Sequence, residues 1–174
     1  PVRIGDREWS DEPVLMATVN LSRDSTYRES IATGIDSAVR KARVAVASGA
    51  HFVDIGAEST TARAARVGAD DQLGRLLPVI EQCTDEGIAV SVETYDPAVA
   101  RAGLAAGAQV LNLTGAAHQE EMFDLVAEFG ATVILCYVKG GNVREITDVR
   151  LDADPIPGLL AHFEERVATA RGRG

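Results

Sequence analysis

The sequence predicts an α/β fold of parallel strands, and three observations predict it. Four times a helical stretch passes through a glycine into an apolar segment: Gly49-Ala50-His51-Phe52-Val53, Gly87-Ile88-Ala89-Val90, Gly107-Ala108-Gln109-Val110 and Gly130-Ala131-Thr132-Val133. These segments are nearly continuous in apolar residues, as strands covered on both faces are. Most then run into polar residues: Asp54 and Glu58, Glu93 and Thr94, Asn112 and Thr114. Helix, glycine, strand and polar tip, repeated in that order, describe βα units whose strands point one way. Their C-terminal ends then share one chemical face. Five such units fit either an open sheet or an incomplete closed barrel. A (β/α)8 barrel takes about 250 residues and this chain has 174, so pattern alone favours the open sheet.

Taken in order, the stretch through Asp11 is short and polar with one tryptophan, Trp9. It predicts a hairpin or lid over the N-terminal end of the sheet. Val14 to Val19 reads as the first buried strand, ending at Asn20. Leu21 to Gly34 is polar, without periodicity and long for a connection, a length that often carries function. A helix rich in Ala and Val follows from Ile35 to Ser48, then a strand from Phe52 to Ile55 and a second long loop from Gly56 to Ala69. The acidic pair Asp70-Asp71 suits the start of the second helix. Leu73, Leu76, Leu77 and Ile80 recur at i, i+3, i+4 and i+7, one apolar face. Pro78 inside that helix removes a backbone donor and predicts a kink. Asp96-Pro97 is a cap-and-start pair for a third helix ending at Gly107. A fourth helix is expected over Gln119 to Phe129, and a fifth strand over Thr132 to Cys136. A third long loop, Tyr137 to Pro155, precedes a final helix from Pro157 to Ala170, and the whole reads as a single domain, 1–174.

The formal charge is −9 with a pI near 4.8, an acidic field that argues against nucleic acid or an anionic membrane surface as partner. No apolar run approaches the roughly 20 residues of a membrane span. A small phosphorylated ligand stays compatible, because Arg23, Arg28, Arg63, Arg66, Lys139 and Arg144 fall in loops that follow strands; as plain loop charges they would simply be solvated. Cys83 and Cys136 show no CxxC or metal spacing and read as small core residues in a reducing, cytoplasmic setting. The opening Pro1-Val2-Arg3-Ile4-Gly5 is neither a signal peptide nor an initiator methionine, so a trimmed terminus is expected.

Specific residue strings go further than periodicity. Val19-Asn20-Leu21-Ser22-Arg23-Asp24-Ser25 resembles the dihydropteroate synthase motif in which the first strand ends Asn-Val-Thr-Pro-Asp-Ser. Gly49-Ala50-His51-Phe52-Val53-Asp54-Ile55-Gly56-Ala57-Glu58-Ser59-Thr60 is similar to that family's second signature, Gly-Ala-x-x-[apolar]-Asp-[apolar]-Gly-Gly-Glu-Ser-Thr-Arg-Pro. Leu77-Pro78-Val79-Ile80 matches its proline-bearing helix, Ser91-Val92-Glu93-Thr94-Tyr95 its third-strand Ser-Val-Asp-Thr, and Leu111-Asn112 its fourth-strand Ile-Asn-Asp. The matches occur in order from Val14 to Gly140. The resemblance overrides the open-sheet preference and implies a (β/α)8 TIM-barrel type fold with about five βα units present in this chain.

It also implies a chemistry. In that family p-aminobenzoate displaces pyrophosphate from 6-hydroxymethyl-7,8-dihydropterin pyrophosphate, without a protein nucleophile, and Mg2+ with cationic or amide donors stabilises the departing group. A homodimer is implied as well. By position, Asn20 would contact the metal or pyrophosphate, while Thr60, Arg63, Glu93 and Asn112 would contact substrates; Asp54 and Glu58 would support the barrel core and second loop. Each has an ordinary alternative: an Asx turn for Asn20, a loop hydroxyl for Thr60, a salt bridge for Glu93, backbone satisfaction for Asn112.

The chain also departs from the pattern. Glu93 stands where the family has aspartate, moving the carboxylate outward by one C–C bond, about 1.5 Å, where about 1 Å can cost ~100-fold in rate. Arg23 replaces a proline, Thr61-Ala62 replaces Arg-Pro with Arg63 near enough to substitute, and Leu113 replaces an aspartate taken as a pterin or pyrophosphate partner. Cys136-Tyr137-Val138-Lys139-Gly140 replaces Met-His-Met-x-Gly. His51, His118 and His162 fall on none of the motif tips. The family's later strands supply an aspartate, a lysine and a basic pair that these five units do not contain. Such a piece should expose the apolar edges of its first and fifth strands. Two other readings remain open: a catalytically silent pterin-binding-like scaffold or partner, and a pterin-dependent methyltransferase.

Overall fold

A chain leaving a helix must reverse into the sheet, and the left-handed conformation that this requires is open to glycine. It is found at Gly87 (φ 73°) and Gly107 (φ 105°). The computed structural model describes residues 1–22, 28–59, 66–144 and 153–174, except for the side chain of residue 28. Its elements are a hairpin of β1 (Val2–Ile4) and β2 (Arg7–Trp9), then β3 (Met16–Asn20), a 3-10 turn (Arg28–Ser30), α1 (Ile35–Ala47), β4 (Phe52–Gly56), α2 (Ala69–Asp85), β5 (Val90–Thr94), α3 (Pro97–Ala105), β6 (Val110–Leu113), α4 (Gln119–Phe129), β7 (Thr132–Leu135) and α5 (Ile156–Arg171).

β3 to β7 form one parallel sheet in strictly sequential order. Right-handed crossovers between successive neighbours put every helix on the same side, and α1 to α5 pack on one another in turn. A doubly wound sheet would reverse its strand order part-way. This sheet does not, so the open-sheet preference is overturned: the chain is five units of a (β/α)8 barrel, helices outside and one concave face inside.

Strand alternation then sorts the side chains. Val53, Ile55, Val90, Val92, Leu111 and Leu113 pack with Leu76, Val79, Ile80, Val99, Met122 and Leu125 of the helices in one buried cluster. Burying each of the larger side chains contributes about 1.5–3 kcal/mol. Gly103 lets α3 approach β5 closely, since a Cβ there would meet Val92 at 3.0 Å. The face expected of the second helix is present, with Leu76 and Ile80 fully buried. That helix runs through Pro78 without interruption. Asp96 caps α3 by accepting from the Ala98 and Val99 amides at 2.8 and 3.3 Å.

On the concave side, Ile4, Phe52 and Val110 form a second cluster with Trp9, Val14, Ala89 and Ile134. The β1–β2 hairpin thus seals the N-terminal end of the strands, as the sequence predicts. Thr132 Oγ1 ties it down by donating to the Arg3 carbonyl.

The ends of the sheet correct two expectations. The first strand begins at Met16 rather than Val14, and Leu15 and Met16 are 54% and 42% exposed. β7 is only partly buried along its whole length and stops at Leu135. Both are edge strands with a neighbour on one side only, which is why their apolar residues lack cover. Beyond β7, Arg166 of α5 is 3% exposed and donates to the carbonyls of Cys136 (2.7 Å) and Gly115 (2.9 Å) and to Gln119 Oε1 (3.3 Å), fastening α5 to two strand tips. Among the described residues no helix is long and apolar enough to cross a membrane.

Candidate functional site

Residues directly opposite in a parallel pair share a face. Asn20 is opposite Gly56, Gly56 opposite Glu93, and Glu93 opposite Asn112. Three of the sequence-predicted site residues therefore lie in one row across four strands, on the concave face at the C-terminal tips. Thr18, Asp54 and Ser91 form the row beneath.

Asp54, 2% exposed, holds this layer together. Its Oδ1 accepts from Ser91 Oγ at 2.6 Å and its Oδ2 from Asn112 Nδ2 at 3.0 Å. Burial pushes its carboxyl upward and these two bonds pull it back. The Cys136 thiol lies 3.5 Å from Asn112 Oδ1, so Asn112 is held on both edges. Cys136 is itself pushed up, by burial first and then by the Glu93 charge.

Glu93 is different. Among the described residues its carboxyl takes part in no hydrogen bond, and its Oε2 lies over Gly56, 2.6 Å from where a Cβ would stand. Only glycine leaves room for it there. Burial, then the charges of Asp54 and Glu58, push the Glu93 carboxyl up to about 8.

Glu58 belongs to a neighbouring clasp. Arg144 Nη1 lies 3.0 Å from Glu58 Oε1, with the two side chains 2% and 8% exposed. The Val67 amide donates to the same oxygen at 2.9 Å, and Tyr95 donates its hydroxyl to Oε2. Burial and that bond push the Tyr95 phenol up to about 12. Arg144 also donates to the Ser59 carbonyl at 3.2 Å, so the loop after β7 grips the loop after β4. A small cleft between them is lined by Glu58, Ser59, Gln72, Glu93, Tyr95 and Thr114. A larger groove between β3 and α1, lined by Thr18, Glu29, Arg40, Lys41 and Val44, lies at the open sheet edge, away from these groups.

Asn20, 9% exposed, donates Nδ2 to Ser30 Oγ at 2.7 Å, which fixes the edge of the amide that carries oxygen. Among the described residues there is no cluster of three His, Cys, Asp or Glu side chains able to hold a metal. Thr60 and Arg63 lie outside the described residues, as does Arg23. Lys139 is exposed. His51 accepts from the Leu15 amide at 2.9 Å, and His162 packs edge-on to Tyr137, just past the tip of β7.

Position 113 needs correction. Its side chain is fully buried in the helix-facing cluster, one residue out of phase with Asn112, so leucine there empties no place in the concave row. The sequence reading also missed the parts of Ser91, Tyr95 and Arg144. Ser91 was legible, standing two residues before Glu93 and so on the same face. Arg144 carried no such signal, because its partner lies 86 positions earlier in a different loop.

The comparisons with known proteins agree with this geometry. The family model described as "Pterin binding enzyme" matches residues 16–174. The chain is 34% identical over 164 residues to the dihydropteroate synthase of Bacillus subtilis, covering 93% of this chain and 55% of that protein. It is 34% identical over 169 residues to a probable bifunctional folylpolyglutamate synthase/dihydropteroate synthase of Haloferax volcanii, covering 97% of this chain and 20% of that one. Among solved structures, dihydropteroate synthase from Thermus thermophilus in complex with 4-aminobenzoate superposes with a TM-score of 0.81 at 28% identity, over 98% of this chain and 61% of the other. The Yersinia pestis dihydropteroate synthase, at TM-score 0.85 and 23% identity over 99% and 63%, shares the fold. The chain thus spans less than two thirds of each of these proteins.

Proposed function

The chain belongs to the pterin-binding enzyme family, and from that premise we propose that it forms the pterin-binding half of a dihydropteroate synthase site. The observation that carries this reading is the polar row Asn20, Glu93 and Asn112, braced by Asp54, on a concave face that is apolar at its base. A flat heterocycle with several N–H and carbonyl groups on its edge suits such a row, since buried amides and carboxyls read donors and acceptors.

In the proposed reaction the amine of p-aminobenzoate attacks the methylene of 6-hydroxymethyl-7,8-dihydropterin pyrophosphate. A C–N bond forms, the C–O bond to pyrophosphate breaks, and the amine loses a proton to solvent. Glu93 and Asn112 hold the ring edge, and Asp54 positions Asn112. Thr60 and Arg63 are assigned to substrate contacts on the strength of the motif alone. Orientation of the two reactants is the main contribution asked of these residues.

The residues suit Mg2+, which keeps most of its shell as water and phosphate oxygen: Asn20 brings to the row an amide of the kind such an ion takes, and among the described residues there is no dense ligand cluster. When bound, the ion would offset charge on the departing pyrophosphate. A homodimer is proposed from the family resemblance, and a cytoplasmic setting from the two unpaired thiols.

Calorimetric titration of the full-length gene product with the dihydropterin pyrophosphate and Mg2+, followed by an assay with p-aminobenzoate, tests the reading. Micromolar binding with turnover is expected. Binding without turnover would leave a silent pterin-binding homologue or a methyltransferase, and no binding would overturn the pterin assignment.

A further inference from the structure

Three carboxyl groups, Asp54, Glu58 and Glu93, meet at the tips of β4 and β5, and they are not equally served. Asp54 accepts two hydrogen bonds from Ser91 and Asn112. Glu58 accepts from the Val67 amide, from Tyr95 and from Arg144. Among the described residues, Glu93 receives no donor. Among the described residues no group facing it gives its carboxyl a hydrogen bond, and the charges that act on it are those of two carboxylates. Asp54 on β4 and Glu58 beyond it add negative charge. Tyr95, past the end of β5, gives its hydroxyl to Glu58 and faces Arg66. Asn112 on β6 gives its amide to Asp54, and Cys136 past β7 is a neutral thiol directed at Asn112. Arg144 is engaged with Glu58. One carboxyl among three without a donor is the one that keeps its proton.

We propose that Glu93 meets its ligand as a carboxylic acid and surrenders that proton to solvent when paired N–H donors of the ligand arrive, so that uptake near neutral pH releases one proton. This rests on the reading that the ligand is a pterin. The carboxyl pushed up to about 8 is consistent with the geometry. The paired donors supply what none of the described residues does: a charge-assisted partner that favours carboxylate. The methylene that distinguishes glutamate from aspartate is what carries the carboxyl over Gly56 and away from other donors.

The test is calorimetric titration of the full-length gene product with 6-hydroxymethyl-7,8-dihydropterin, which lacks the pyrophosphate and so excludes metal-linked protons. Two buffers of different ionisation heat are compared at pH 7, 8 and 9.5. With the carboxyl at about 8, release of about 0.9 proton is expected at pH 7, about half at pH 8 and almost none at pH 9.5. Affinity should fall about tenfold per pH unit below pH 8. Glu93→Gln should bind more weakly, with no proton released and without that pH dependence; the ligand's own titration is common to both proteins. Tight binding with equal heats in both buffers, or proton release that persists in Glu93→Gln, would overturn the inference and leave the pterin reading standing. Absence of binding at every pH would remove both.

Discussion

Asn112 donates its amide to Asp54 at 3.0 Å although their strands, β6 and β4, are not neighbours. The bond crosses over β5, and Ser91 of that strand adds a second donor to the same carboxyl. Side chains two strands apart meet in this way only where a sheet curls toward them. The bridge therefore ties curvature to chemistry: closing the barrel and aligning the ring-reading amide are one event.

Asp54→Asn should disturb both. An amide there either turns its NH2 against the Asn112 NH2, donor against donor, or turns it toward Ser91, whose hydroxyl must then rotate to accept. We expect a loss of about 1–3 kcal/mol for the buried mismatch, read as a shift in the denaturation midpoint. About tenfold weaker pterin binding should accompany it as Asn112 loosens. Unaltered affinity would mean that Asn112 is positioned by its strand alone.

Asn112→Ala should abolish measurable pterin binding while the protein stays folded. Titration with the dihydropterin checks this directly, and an unchanged dissociation constant would remove the fourth strand from the site.

Gly56→Ala should drive a methyl group into the Glu93 carboxyl, 2.6 Å away as the strands stand. Overpacking of this kind costs about 1–3 kcal/mol. Combining it with Glu93→Asp, which withdraws the carboxyl, should recover most of that loss. A double-mutant cycle with no coupling would show that Glu93 does not rest on Gly56.

Arg144→Met should destabilise by about 3–5 kcal/mol, because it strands the Glu58 carboxylate in a buried place. Glu58→Gln added to it should restore much of the difference. If the single variant melts like the parent, the clasp between the two loops contributes nothing.

The Glu93 carboxyl also sets a pH dependence of stability. Its folded value is raised to about 8 from an ordinary 4.5, so the folded state binds a proton that the unfolded chain has lost. Its contribution is fully present below about 4.5 and disappears as pH rises to about 8. The advantage of Glu93→Gln over the parent, followed by denaturant titration, should therefore grow across that window and level off above it. A constant difference from pH 4 to 9 would contradict the assignment.

Much of this was legible in the residues. The glycine-led repeats located four of the five parallel strands and the helices before them, and an apolar run ending at Asn20 located the first, because helix ends and buried strands are dictated locally. Asn20, Glu93 and Asn112 were legible from motif strings, and their common row follows once strand order is sequential. What the chain did not reveal were relations set by curvature and register: the Asp54 bridge, the outward-facing Leu113, the Arg144 clasp and the hold of Arg166 on two strand tips. The open-sheet preference failed for the same reason. Local pattern is identical in both architectures, and only the absence of a reversal in strand order separates them.

The hairpin at the base has a consequence for the order in which the molecule assembles. Ile4 packs with Val110 and Ile134, and the Arg3 carbonyl is bound by Thr132, 129 residues later. Val110 lies on β6, and Thr132 and Ile134 lie on β7, the last strand of the sheet. The hairpin therefore docks fully only once β6 and β7 are in place, and contacts so distant in sequence form slowly. Weakening the Ile4 contacts should then slow the final locking step more than the formation of any single unit.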